Sequence, residues 1–147
     1  MAQIEKSVLI EHPAKTMFKL VDKVEDYPLF LPWCGGTRLI ERTDAITLAT
    51  IDIDYHGVKQ SFTTRNHKQP FEWMHIELQE GPFRHLAGHW RFMPLAETAC
   101  KVEFRLEYEF SSKVLEKIVG PVFNYIASTF VDAFILRAES TNAGDKL

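Results

Sequence analysis

Ile4, Val8 and Ile10 in QIEKSVLI fall in step at even spacing, which predicts a first strand. The next stretch, HPAKTMFKLVDKV, changes to helical spacing. Pro13 suits a first helical turn, and Met17, Leu20, Val21 and Val24 share one face at about 100° per residue. Pro28 and Pro32 end that helix, and VEDYPLFLPWCGG follows as an irregular segment with unusual apolar content. Loops run over the surface, so this much apolar area needs something to pack against.

From residue 37 to residue 110 nearly every segment alternates. TRLIER opens the series. ATIDIDY sets Ala49, Ile51, Ile53 and Tyr55 against Thr50, Asp52 and Asp54, and VKQSF resumes after a His56-Gly57 turn. WMHIELQ offers Met74, Ile76 and Leu78 to one face, and HLAGHWRF offers Leu86, Gly88, Trp90 and Phe92. CKVEFRLEYEF is the cleanest case: Val102, Phe104, Leu106, Tyr108 and Phe110 go in, the intervening charges out. The pattern predicts about six consecutive antiparallel strands with one wet face. A single helix then runs from Lys113 to about Glu139, with Leu115, Ile118, Val119, Val122, Phe123, Ile126 and Phe130 covering more than half its circumference. Such a helix is expected to be mostly buried. Pro121, after Gly120, predicts a kink or a break into two pieces.

A strand, a helix, a run of antiparallel strands and a long apolar helix make an α+β fold: a curved sheet closed by the C-terminal helix. The 147 residues fit one domain, ordered over about 3–139 with a loose polar tail at 140–147. No signal peptide or membrane span is expected, which places the chain in the cytoplasm. Cys34 and Cys100 lie far apart without metal or redox spacing, so two reduced thiols are expected. A net charge of -3 argues against DNA or bulk nucleic-acid binding through overall charge. Any such contact must use a local patch. Lys15, Lys19 and Lys23, at i, i+4 and i+8, form one stripe opposite the apolar face of the first helix. It reads either as an ordinary solvated face or as a footprint for phosphates of RNA or of an anionic membrane surface.

Catalytic patterns are sparse. His85 and His89 would share a metal on a helix, but on a strand their side chains stand ~13 Å apart, so no metal site is expected. Asp52 and Asp54 share a strand face, as solvated carboxylates do. Ser7, Ser61 and Ser128 have no nucleophile-elbow context, and no glycine-rich phosphate loop follows a strand. Thr64, Asn66 and Tyr108 are the few polar residues at inward positions, either satisfied core groups or hydrogen-bonding partners for a ligand.

Taken together, FKLVDKVEDYPLFLPWC, FTTRN, GPFRHLAGHWRF, KVEFRLEYEF and FVDAFILRA resemble the START-like, helix-grip family of coenzyme Q-binding and polyketide cyclase-related proteins, over about residues 3–139. The resemblance implies the Bet v 1-like arrangement, with the sheet wrapped around the last helix and an elongated apolar cavity between them. It implies a bound isoprenoid such as ubiquinone, as in mitochondrial relatives associated with respiration. It also implies association with the large ribosomal subunit and a block on subunit joining, as in bacterial relatives. Under it, Phe30, Leu31 and Trp33 form a rim, although they could equally plug the core. The expected cavity is large enough for an isoprenoid and lined by Trp90, Phe92, Phe104, Val122, Phe123, Ile126 and Phe130. No residue is expected to be catalytic; a cyclase or dehydrase acting on a polyketide-type substrate is the alternative and would need polar groups in that cavity.

Overall fold

The computed structural model describes residues 2–145, and side chains for 2–141. Strand β1 (Ala2–Ile10) leads into helix α1 (Ala14–Asp22), a 3-10 turn (Val24–Asp26) and a short helix α2 (Tyr27–Phe30). Six strands follow: β2 (Cys34–Arg42), β3 (Ile46–Tyr55), β4 (Val58–Gln69), β5 (Trp73–Glu80), β6 (Phe83–Ala96) and β7 (Ala99–Phe110). Helix α3 (Lys113–Asp145) is the last described element.

The strands form one antiparallel sheet in the order β1-β7-β6-β5-β4-β3-β2. Each strand from β2 to β7 pairs with its neighbour in sequence, while β1 crosses over to pair with β7. The β3–β4 turn is the expected His56-Gly57 pair. Both residues have positive φ, 49° and 80°, as a tight hairpin with right-handed strands requires. Bulges in β2, at Thr63/Thr64 and near both ends of β6 curve the ribbon. At the middle of the concave face Gly88 lets β5 and β6 close up, since a Cβ there would lie 2.9 Å from Ile76 Cδ1.

The alternation decides which face is buried. Val102, Phe104, Leu106, Tyr108 and Phe110 point inward as expected, joined by Trp90, Phe92, Leu86, Met74, Phe62 and Ile53. Ser112 Oγ accepts the amide of Leu115, capping the start of α3. The helix then lies against β7, β1, β4 and α1. Its inner face is Val119, Phe123, Ile126, Ala127, Val131, Phe134 and Ala138.

At Pro121 the helix is not broken into two pieces. Two other expectations for α3 are corrected, and the first is its end, which lies at Asp145 rather than near Glu139. The loose tail expected from residue 140 therefore begins within the helix, and the side chains beyond Thr141 lie outside the described residues. Nor is the helix mostly buried. Val114, Ile118, Tyr125 and Leu136 form an outer apolar stripe, exposed by 66%, 59%, 45% and 66%. Ile118 thus leaves the core face assigned to it: the apolar arc is wider than the contact with the sheet. Within Lys113–Thr141 an 18-residue window reaches a mean hydropathy of 1.5, which by length and composition alone is enough for a membrane span and which core helices also reach. Here its inner face packs on the sheet, as a core helix does.

Candidate functional site

A cavity lies between the concave face and α3. Val21, Val24, Tyr27 and Trp33 close one end. Ile51, Phe62, Thr64, Asn66, Met74, Ile76, Leu86, Trp90, Phe104 and Leu106 form the sheet wall, and Phe123, Ile126, Ala127 and Phe130 the helix wall. Much of it is an aromatic box. Trp90 lies 4.4 Å from Phe104, and Phe130 lies 5.9, 5.8 and 6.2 Å from Trp90, Phe104 and Trp33. Tilted contacts at these distances suit the ring quadrupoles and hold the rings in place.

The volume is about 60 Å³. That is room for a few water molecules, against the ~300–1,000 Å³ of sites that enclose a drug-sized ligand. The expectation of a cavity large enough for an isoprenoid is therefore not met in this conformation, because Phe123 and Phe130 fill the helix side.

Of the predicted lining, Trp33, Trp90, Phe104, Phe123, Ile126 and Phe130 meet at the cavity; Phe30, Leu31, Phe92 and Val122 do not. Phe92 lies one step further along β6, stacked on Trp90 at 5.8 Å and edge-on to Phe18 at 5.4 Å. Val122 is half-buried off the inner face of α3. Phe30 turns away into an open groove between α2 and the outer side of α3, where the Arg137 guanidinium lies 5.2 Å from its ring, and Leu31 is buried in the core at the groove's floor. The apolar segment of residues 24–36 thus divides. Val24, Tyr27 and Trp33 face the cavity, while Leu29 and Phe30 face the groove.

The polar lining is short. Thr64 and Asn66 point inward from β4 as expected. Tyr108 does not line this cavity; its hydroxyl donates to Asn124 Oδ1 at 3.3 Å. Burial pushes the Tyr108 phenol above its ordinary value. Tyr27 gives its hydroxyl to the Val21 carbonyl, and complete burial raises its pKa strongly. Cys34 and Cys100 are free thiols, both raised by burial. Among the described residues no group of His, Cys, Asp or Glu is arranged to hold a metal ion.

A network with no sequence signature pins the cavity's end. Asp22, at the end of α1, accepts from Lys68 Nζ at 2.8 Å and from Thr47 Oγ1 at 2.6 Å. Lys68 also donates to Thr47 Oγ1 at 2.8 Å. Arg42 adds a bidentate pair to Glu25, 2.7 Å at each oxygen, and reaches the Asp22 carbonyl at 2.8 Å. Hydrogen bonding from Arg42 holds the Glu25 carboxyl below its ordinary range. These groups tie the segment carrying Val21, Val24 and Tyr27 to β2, β3 and β4. They also place Lys68 in the interior, which removes it from any surface patch.

The lysine stripe is on the surface. Lys15 and Lys19 are exposed, Lys15 lying 5.3 Å from the Phe71 ring, and Lys23 pairs with Asp26 at 3.3 Å. Asp22, which would have weakened the local positive field, turns inward to Lys68 instead.

Comparisons with known proteins fit this geometry. Residues 10–135 match the family described as polyketide cyclase / dehydrase and lipid transport. The chain is 44% identical over 139 residues to the Ribosome association toxin RatA of Vibrio cholerae, covering 95% of this chain and 96% of that one. It is 22% identical to the mitochondrial Coenzyme Q-binding protein COQ10 homolog B of Xenopus laevis, over 90% of this chain and 56% of that one. Among solved structures, the Zhui aromatase/cyclase of a Streptomyces species superposes with a TM-score of 0.81 at 16% identity, covering 94% of this chain and 93% of that one, a likeness of fold.

Proposed function

The chain belongs to the polyketide cyclase / dehydrase and lipid transport family, and on that premise we propose that it is a non-catalytic protein that associates with the ribosome and takes an apolar ligand in its cavity. The carrying observation is the likeness to the Vibrio protein, 44% identical over 139 residues that span 95% of this chain and 96% of that one. In this reading the large ribosomal subunit is the partner, subunit joining is the step blocked, and the Lys15-Lys19-Lys23 stripe meets RNA phosphates.

The ligand half of the proposal rests on the cavity's composition. Rings and aliphatic groups make most of the wall, with polar atoms from Thr64, Asn66, Tyr27 and the indoles of Trp33 and Trp90. An isoprenoid of the ubiquinone type suits such a wall once it opens. A cyclase or dehydrase needs a group that can move a proton at the substrate. Here the Tyr27 hydroxyl is already committed to a backbone carbonyl, and threonine and an amide are poor acids and bases at neutral pH. The wall therefore supports holding a molecule over converting one.

Cosedimentation tests the ribosomal half. Purified protein is mixed with isolated large or small subunits and run on sucrose gradients at rising salt. It should travel with the large subunit at low salt and be released steeply as salt increases, since phosphate contacts are replaced by counterions. Protein that stays at the top of the low-salt gradient with both subunits overturns the proposal.

A further inference from the structure

Two polar atoms in the cavity wall lack partners. Trp90 Nε1 and Asn66 Oδ1 are buried with no hydrogen bond. Their residues are only 1% and 7% exposed, and both line the same cavity. Asn66 on β4 sits opposite Ile76, which sits opposite Gly88; Trp90 comes from the adjacent inward row of β6, opposite Met74. An indole N–H can only donate, whereas the asparagine amide offers a donor and an acceptor and presents either by turning over. Buried polar groups are nearly always satisfied, so two unpaired ones on one cavity call for a complement.

The rest of the wall limits that complement. Among the described residues none lining the cavity is Lys, Arg, His, Asp or Glu. The buried cation of β4, Lys68, is occupied by Asp22 and Thr47. A carboxylate or phosphate would thus enter without a counter-charge, at heavy desolvation cost. A plain hydrocarbon would leave both polar atoms unpaired. A neutral oxygen fits: a carbonyl accepts from Trp90 Nε1, and a second carbonyl, ether or hydroxyl meets the Asn66 amide.

We propose that Trp90 and Asn66 select a neutral, oxygen-bearing head group, seated between them with its apolar body against Phe104, Phe123 and Phe130. This rests on the reading that the cavity takes an apolar ligand, and it adds which residues choose the head group and which end of the ligand lies innermost. The cavity of about 60 Å³ takes only the polar edge of such a head, so the body is admitted as the wall moves outward.

The test is competitive retention by the full chain, read by native mass spectrometry. The protein is offered an equimolar mixture of a decyl benzoquinone, decylbenzene and an alkyl carboxylate of equal length. Wild type should retain the quinone by about tenfold over each of the others, the worth of one to two net hydrogen bonds. Asn66→Leu and Trp90→Phe should each bring the quinone close to decylbenzene while still retaining decylbenzene. Thermal melts establish that the variants fold; if Trp90→Phe does not, Asn66→Leu and the wild-type competition decide. Equal retention of quinone and decylbenzene by wild type, or an unchanged preference in the variants, overturns the head-group inference and leaves the apolar-ligand reading standing. Preference for the carboxylate overturns the assigned class. Retention of none of the three overturns both, leaving Trp90 and Asn66 as partners of buried water.

Discussion

The Lys68 ammonium lies 2.8 Å from the Asp22 carboxylate with 3% of its side chain exposed, against 15% for Asp22. The partners are thus unequal in depth, and removing either should have an unequal effect. Asp22→Ala strands a buried ammonium with only the Thr47 hydroxyl beside it. Lys68→Ala leaves a carboxylate that still has Thr47, partial hydration and Arg42 at 3.5 Å. Losing one partner of a buried pair costs ~3–5 kcal/mol. We expect Asp22→Ala at the upper end and Lys68→Ala at or below the lower. Urea denaturation of both variants measures this, and the reverse order would show that Lys68 finds another acceptor.

Phe134, fully buried, meets Phe130, Tyr27 and Phe30 edge-on at 5.0, 5.4 and 5.4 Å. It is where α3 and the segment of residues 24–33 lock together. Phe134→Ala should cost about 3–5 kcal/mol, the usual range for a fully buried ring. A chemical-denaturation midpoint close to wild type would mean that the two elements close over the space.

Charge reversal of Lys15, Lys19 and Lys23 to Glu alters an exposed face. Each change should shift stability by no more than ~0.5 kcal/mol. Lys23 should be the most costly of the three, since its replacement faces Asp26. Subunit cosedimentation of the triple variant should fall sharply at low salt, while cavity binding is unchanged. Wild-type association at every salt concentration would move the footprint elsewhere.

His89, half-buried on the outer face of β6, has its pKa lowered from 6.5, first by desolvation, then by the charges of His75, Arg105 and Arg91; Glu103 opposes them. The folded protein therefore binds this proton less readily than the unfolded chain. Its contribution to stability is complete above the unfolded value and is lost as pH falls from there through the lowered folded value. Melting temperature should decline across that window, and His89→Asn should flatten the decline. Proton NMR showing His89 titrating at or above 6.5 would contradict it.

The strands were legible because one face is wet: Val102 to Phe110 alternate without an error. The last helix was legible in type but not in facing. An apolar arc wider than the contact does not reveal which edge touches the sheet, and Ile118 fell on the wrong side. Trp90 and Phe130 were identifiable as large rings on apolar faces, whereas Trp33 lay in an irregular segment and was placed at the rim only by the family resemblance. Whether rings enclose space or fill it depends on differences of an ångström in packing, which periodicity does not carry, and Phe92 and Val122 were misplaced for that reason. Asn66 stood out as a polar residue in an inward row. Trp90 was read only as an apolar ring, although its N–H is the other half of the same polar pair. The Asp22-Lys68 bond joins residues 46 apart in sequence, and no local pattern signals it.

The sheet order gives β1 a peculiar place in time. Every other strand pairs with a neighbour in sequence, so the ribbon from β2 to β7 can close hairpin by hairpin as the polypeptide lengthens. Ala2 pairs with Tyr108 and Ile10 with Cys100, so the earliest-synthesised strand must wait for the last one. Long-range pairing of this kind is slow to form because loop closure precedes any reward. During translation β1 therefore has no partner strand until β7 has emerged, whereas the end of α1 can already be tied to β2, β3 and β4 through Asp22.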